Sequence, residues 1–456
     1  MSEAENRNIA VFEQMPVPKA VRTMVIPTIM GQLIILLYSI ADTFFVGRTN
    51  NPLMVAGASL VLPVFNVCTA LAGISGVGGG AQVSRLLGEK DPEGARRVSS
   101  FSLWFALLTG LVFALGVLLF MDPLMRLLGA KAEVLAYAKA YAMCVIVCGG
   151  IPTVMANVMA NLLRSTGESR MASFGIMLGG LINIALDPLF MFVLFPKGME
   201  IVGAGAATCV SNCISCIFFI FMIRSLGRDS VIRMYSPLLL PQADHLKKVF
   251  SIGIVSSVAG FLFDLDYMII QRLMSGYGDI PVAAIGIVLK AERLPLNIGV
   301  GICQGMVPII AYNYSAKNYR RMNDTVSYSR NLGIACALIS ILMYELFSPY
   351  IMRFFINEAQ TVALGTDFLR ARSLATVLMF LSFFHVHLFN SYGRGGEAFF
   401  LGVMRWLAFN IPMLFLLHHF FGMYGIVWSQ LAADILTVAL SAAVYRNYMV
   451  KHHMTA

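Results

Sequence analysis

Two octapeptides decide how the chain is organised: Ala41-Asp42-Thr43-Phe44-Phe45-Val46-Gly47-Arg48, and Leu265-Asp266-Tyr267-Met268-Ile269-Ile270-Gln271-Arg272 just past the middle. Each has an acid second, an apolar run behind it and an arginine last, and they lie 224 residues apart. Half of the 456 residues is 228, so an offset of this size signals internal duplication. Three more correspondences keep the same order. Val55-Ala56 through Gly78 and Lys90 match Val282-Ala283, Gly305 and Lys317. Asn161, Gly167 and Glu168 match Asn390, Gly396 and Glu397. Gly203 matches Gly425. Four ordered matches at nearly constant spacing argue for a repeated unit.

What repeats is set by composition. The chain is 58% hydrophobic and 12% charged, with a mean hydropathy of +0.76. That is about half the charge of a soluble domain, too little to cover polar surfaces. Apolar stretches long enough to cross a bilayer recur twelve times, near 22–46, 53–83, 98–121, 134–160, 171–195, 201–223, 249–274, 281–312, 328–351, 368–391, 399–421 and 423–445. Polar segments such as 47–52, 88–97 and 312–321 separate them. The duplicated unit therefore has six spans, and because six is even, both copies share one orientation. The expected fold is an all-α membrane protein: twelve transmembrane helices in two same-orientation six-helix lobes, residues 1–228 and 229–456, around a central cleft.

The formal charge of +9 carries a topological message. With each basic residue within about six positions of a span end assigned to the adjoining loop, 22 of the 33 Lys and Arg residues belong to the termini and even-numbered loops and 9 to odd-numbered loops, with Lys290 and Arg293 deeper inside span 8. This excess places both termini in the cytoplasm of a multi-pass protein and makes a nucleic-acid role unnecessary. Residues 1–21 are polar and do not read as a cleavable signal peptide. The eight cysteines read as small buried hydrophobes, and the one CxxC, Cys213-Ile-Ser-Cys216, lies on a helix. Gly76-Val-Gly-Gly-Gly80 lacks the GK[ST] of a phosphate loop and reads as helix packing. No cluster of nucleophile, base and metal ligands occurs in the spans, so an enzyme is not expected, nor is a bound cofactor.

A carboxylate in a span costs at least about 2.5–3.5 kcal/mol and needs a partner, a cavity or a task. Counting 1.5 Å per residue from the expected span ends puts Asp42 at roughly 31 Å and Asn183 and Asp187 at roughly 18 and 24 Å above the cytoplasmic side, with Thr208 about 10 Å below the outer surface. All four belong to the outer half of the first lobe, and Asn183 and Asp187 are i, i+4 on one face. Two acids, an amide and a hydroxyl at one depth form an oxygen-rich pocket for a proton or a small hard cation such as Na+. Asp42 also lies near a span end, where an interfacial acid is the plainer reading. Pro27 and Pro188 each leave a backbone carbonyl without its helical donor and are expected hinges. Asp266, the repeat counterpart of Asp42, and Asp264 are second-lobe candidates, either facing the cleft or paired with Lys290 or Arg293. Those two are the basic residues counted inside spans; Asp434 and Glu345 read as packing or interface acids.

Pro27, Ala41 through Gly47, Ser84-Arg-Leu-Leu-Gly-Glu-Lys-Asp91, Asn161-Leu-Leu-Arg-Ser-Thr-Gly167, Asn183-x3-Asp187-Pro188, Gly203-Ala-Gly-Ala-Ala-Thr208 and Gln304-Gly-x2-Pro308-Ile-Ile-x-Tyr-Asn313 together resemble the multidrug and toxic compound extrusion (MATE) family, most nearly its MepA-like bacterial branch. The resemblance spans nearly the whole chain. It implies a secondary antiporter in a bacterial plasma (inner) membrane that acts as a monomer and exports small amphipathic, often cationic, drugs or metabolites in exchange for H+ or Na+. The family's first-lobe ion site falls on Asp42, Asn183, Asp187 and Thr208, the four residues that depth selected. Its second-lobe cation site, found in another branch, has no acid in span 10 after Asp367 to complete it. The alternative reading is a flippase for a lipid-linked precursor, which would need a cleft basic enough for phosphates.

Overall fold

A computed structural model describes residues 10–49, 51–227, 230–234 and 240–452, and the described chain is helical. In a hydrocarbon layer every backbone N–H and C=O must find a partner within the protein, and a long apolar helix meets that demand internally. The helices are α1 (Val17–Gly47), α2 (Pro52–Gly88), α3 (Pro92–Leu119), the short α4 (Met121–Leu127), α5 (Ala132–Ala142), α6 (Gly150–Ser165), α7 (Ser169–Leu189), α8 (Glu200–Ser225), α9 (Ala243–Met274), α10 (Asp279–Ser315), α11 (Tyr319–Phe355), α12 (Ala359–Ser373), α13 (Thr376–Ser391), α14 (Gly395–Val403) and α15 (Ile411–Lys451). Nine continuous helical stretches are long and apolar enough to cross a membrane, and the bent pairs Ala132–Cys148 with Gly150–Ser165 and Ala359–Ser373 with Thr376–Ser391 raise that to eleven. The longest stretch, Gly395–Lys451, is broken at Gly422, whose φ of 59° is non-helical, so it holds two spans and the total among the described residues is twelve. Span 10 begins at Ala359, earlier than the hydropathy places it, and Arg370 and Arg372 fall in the last turn of its first helix.

The duplication is visible in the turns. Only two non-glycine residues among those described have positive φ, Lys90 at 59° and Lys317 at 57°. Each closes a Schellman turn with the same bonds: Asp91 N to Leu86 O at 2.9 Å beside Asn318 N to Asn313 O at 2.9 Å. Each turn is followed by a side-chain cap, Asp91 accepting from Gly94 N and Asn318 from Arg321 N. A second pair of turns shifts one sequence match. Gly167 (φ 87°) closes the bond Glu168 N to Leu163 O, and Gly393 (φ 71°) closes Arg394 N to Phe389 O, so Gly167 corresponds to Gly393 and not to Gly396. The pairing by letters had slipped by about one helical turn.

The helices form two compact units, one of Met1–Met15 with Met30–Ser257 and the other of Pro16–Ile29 with Val258–Ala456. The 228/229 division of the sequence lies outside the described residues, and the units cut the leading helices α1 and α9 part-way along. In the first unit, a Cβ on Gly253 of α9 would collide with the Ile74 carbonyl of α2, and one on Gly78 with the Val249 carbonyl. In the second, a Cβ on Gly301 of α10 would lie 2.8 Å from the Ile29 Cα, and one on Gly305 2.8 Å from the Val25 Cα. These are the same two contacts displaced by one repeat. Each unit thus contains one repeat's later helices and the first half of the other repeat's leading helix, held by glycine contacts that let backbones touch.

Candidate functional site

The four first-lobe residues lie in the first unit on three helices. The second half of α1 carries Asp42, α7 carries Asn183 and Asp187, and α8 carries Thr208. Small residues bring these helices together. A Cβ on Gly180 would lie 2.6 Å from the Ile34 side chain of α1, and one on Gly179 3.1 Å from the Ser215 Cβ of α8. Asn183 is the hub: its Nδ2 donates to Asp187 Oδ1 and to Thr208 Oγ1, both at 3.3 Å. Thr208 in turn donates to the Ala204 carbonyl at 3.1 Å, which leaves its oxygen to receive the amide.

Asp187 is fully buried, Asn183 nearly so, and Asp42 half-buried. Asp42 and Asp187 interact electrostatically, and Tyr141 lies in the field of both acids. Among the described residues no Lys, Arg or His forms an ion pair with either. Three buried oxygens have no hydrogen-bond partner: Asp42 Oδ1, Asn183 Oδ1 and Asp187 Oδ2. Buried acceptors without partners are costly, and a group that donates a hydrogen bond or carries positive charge would satisfy them. The donors are oxygen throughout, which fits a proton or a hard cation and not a soft metal. Sequence reading had not found Tyr38, one turn before Asp42 and interacting with it, or Tyr141. Tyr38 was detectable at i−4; nothing in its own segment marked Tyr141.

The second-lobe candidates separate. Asp264 Oδ1 is 3.7 Å from Arg293 Nη2, whose guanidinium lies over the Phe263 and Tyr267 rings. Asp266 pairs with neither Lys290 nor Arg293. It is 1% exposed and lies in the field of Arg372 and Arg405. These belong to a connected series: Glu292 takes Arg372 in two bonds of 2.6 and 3.0 Å, Arg372 reaches Gln430, Gln430 donates to Asp434 at 3.0 Å, and Asp434 meets Arg405 at 3.1 Å. Lys290 and Arg293 are therefore not alone inside spans. Arg372 and Arg405, near enough to expected span ends to be assigned to loops, are 2% and 3% exposed and lie within helical stretches. Arg405 is drawn in by the π turn Met404–Asn410 and stacks on Phe383 and Trp406. Asp434 is a charge partner rather than a packing acid.

Of the expected hinges, Pro27 lies inside α1, helical throughout Val17–Gly47, two residues before the two units divide that helix. Pro188 is the penultimate residue of α7 and is followed by the π turn Phe190–Leu194.

The MatE family pattern matches this chain twice, over residues 27–189 and 253–416, starts that lie 226 residues apart. The multidrug export protein MepA of Staphylococcus saprophyticus is 27% identical over 451 residues, covering 99% of this chain and 98% of that protein. MepA of Staphylococcus aureus strain MSSA476 is 28% identical over 452 residues with the same coverage. Among solved structures, a multidrug resistance MATE family transporter of the MOP superfamily, in an outward-facing conformation, superposes with a TM-score of 0.92 at 23% identity over 100% of both chains. A MOP superfamily transporter from Pyrococcus furiosus gives 0.88 at 24% identity over 97% of this chain and 98% of that one.

Proposed function

Because the chain belongs to the MatE family, we propose that it is a secondary antiporter that exports small amphipathic, often cationic, compounds in exchange for H+ or Na+ bound among Asp42, Asn183, Asp187 and Thr208. The protein is no enzyme: its work is movement across a bacterial plasma membrane, with both termini on the cytoplasmic side. The observation that carries the reading is the trio of unpartnered oxygens on Asp42, Asn183 and Asp187. Two carboxylates that sense each other in a water-poor place repel, and an ion from outside relieves that repulsion. The ion drives transport only if it binds two conformations unequally. A pocket whose three walls are separate helices meets that condition, since any displacement of α1 against α7 and α8 changes the distance between the acids. Pro27 and Pro188 supply the bends through which the helices move.

The flippase reading requires unneutralised basic charge to hold phosphates. The buried guanidiniums of Arg372 and Arg405 are each matched by an acid, Glu292 and Asp434, which weighs against it.

The test is dye efflux from vesicles holding the full chain, driven by a pH gradient alone and then by a Na+ gradient alone. One of the two should drive accumulation against a gradient. Asp187→Asn should lower that rate at least about tenfold, equal to ~1.4 kcal/mol, with membrane insertion retained. Full rates in both Asp187→Asn and Asp42→Asn would overturn the assignment.

A further inference from the structure

Five of the eight cysteines lie on two neighbouring segments of the first unit, and a sixth, Cys68, reaches the Gly150 carbonyl beside them, a pattern that the transport site does not use. Cys144 and Cys148 lie on the π turn Met143–Cys148, and Cys209, Cys213 and Cys216 on α8. Three contacts fix the register of these segments. A Cβ on Gly205 would lie 2.8 Å from the Cys144 Cβ, one on Gly149 would lie 3.4 Å from the Cys209 Cα, and Asn212 Nδ2 donates to Thr153 Oγ1 at 2.8 Å. The rungs advance together, 144 to 153 on one side and 205 to 212 on the other, so the segments run parallel in steady register. Two glycines take the side chains out of the seam and let the backbones close. The Gly149 Cα is then within about 5 Å of the Cys209 Cα, since a Cα–Cβ bond adds about 1.5 Å.

Cys148 is the residue next to Gly149, and Cys144 is one turn before it. Cys209 hydrogen-bonds Cys213 on its own helix and, more weakly, interacts across the seam with Cys148 and then Cys144. All eight cysteines are free thiols, and Cys148 is exposed. Among the described residues no three His, Cys, Asp or Glu side chains are placed to hold a metal ion, so the ladder does not read as a metal site. A two-sulfur product needs only one partner from each helix, with Cα atoms about 4.4–6.8 Å apart.

We propose that Cys148 and Cys209 form an oxidisable dithiol that an alkyl hydroperoxide converts into a disulfide joining the bent span 4 to α8. The two thiols give up two electrons and two protons, the S–S bond forms, the O–O bond breaks, and the peroxide leaves as an alcohol and water. The new bond lies one residue from Thr208, the hydroxyl that receives the Asn183 amide. Oxidation staples α8 to the π turn beside the 45° bend at Gly149, and so opposes any movement of the helix that carries Thr208. The consequence for transport rests on the antiporter reading, whereas bond formation does not.

The experiment uses the full chain in vesicles treated with tert-butyl hydroperoxide, digested without reduction and analysed by mass spectrometry, with dye efflux measured in parallel. A peptide pair linked through Cys148 and Cys209 is expected, with a severalfold fall in efflux that dithiothreitol reverses. Cys148→Ser and Cys209→Ser should each keep untreated efflux and lose the sensitivity to peroxide. Peroxide that leaves these two residues unlinked, or links Cys209 to Cys144 or Cys213 instead, overturns the pair. A linked pair with undiminished efflux, or inhibition that persists in both serine variants, overturns the staple. The peptide result is read independently of efflux, so failure of the transport reading would not be mistaken for failure of the dithiol.

Discussion

The chain buries acids in both repeats and treats them in opposite ways. In the first unit Asp42 and Asp187 have no cationic partner among the described residues, and the groups around them are an amide, a hydroxyl and two phenols. In the second, the residue matching Asp42 lies among Glu292, Asp434, Arg372 and Arg405. Both carboxylate oxygens of Asp266 lack a hydrogen-bond partner, as oxygens of Asp42 and Asp187 do, but two fixed guanidiniums offset its charge from nearby, whereas no cation among the described residues offsets the first-unit pair. The same repeat position thus stands in two different electrostatic settings, beside two arginines in one copy and beside none in the other.

That contrast can be broken by mutation. The largest effect is expected from Arg405→Met, which leaves Asp434, 1% exposed, without its cationic partner and should cost ~3–5 kcal/mol of stability. Thermal unfolding of the detergent-solubilised protein would register it, and an unchanged midpoint would mean that the pair is not what holds that region. Replacing both ends, Arg405→Met with Asp434→Leu, should recover most of the loss, because an apolar pair of similar volume avoids desolvating two ions. In the first unit the corresponding losses should appear in coupling and leave stability alone. Thr208→Val removes one of the two acceptors of the Asn183 amide but leaves Asp187, and should weaken ion-driven efflux by a smaller amount, ~1 kcal/mol, or roughly fivefold in the ion concentration giving half-maximal rate. Efflux in Thr208→Val falling as far as in Asp187→Asn would show the hydroxyl to be as important as the acid.

The acids were legible in the sequence because an ionised group in an apolar run stands out, and the i, i+4 spacing of Asn183 and Asp187 put them on one face without any tertiary information. The twelve spans followed from hydropathy in the same way. Arg372 and Arg405 escaped because each lies a few residues from an expected span end, where a basic residue ordinarily belongs to a loop. Arg372 lies in the last turn of α12, well past the start of its span, and Arg405 in the π turn Met404–Asn410. Gly167 was matched to the wrong glycine because letters can slide by a helical turn without penalty, whereas a left-handed φ cannot. The division of α9 between units had no sequence signal, and that of α1 had only Pro27, since the close contacts that hold each half are made with residues far along the chain.

That division has a consequence for how the protein can be made. Residues Pro16–Ile29 complete the unit formed by the later half of the chain, and the start of α9 completes the earlier one. Neither repeat, synthesised by itself, would carry all of its own core, and the fragment that emerges first must wait, unfinished, for a segment still on the ribosome. It is the architecture of a domain-swapped pair whose two copies have been sewn into one polypeptide.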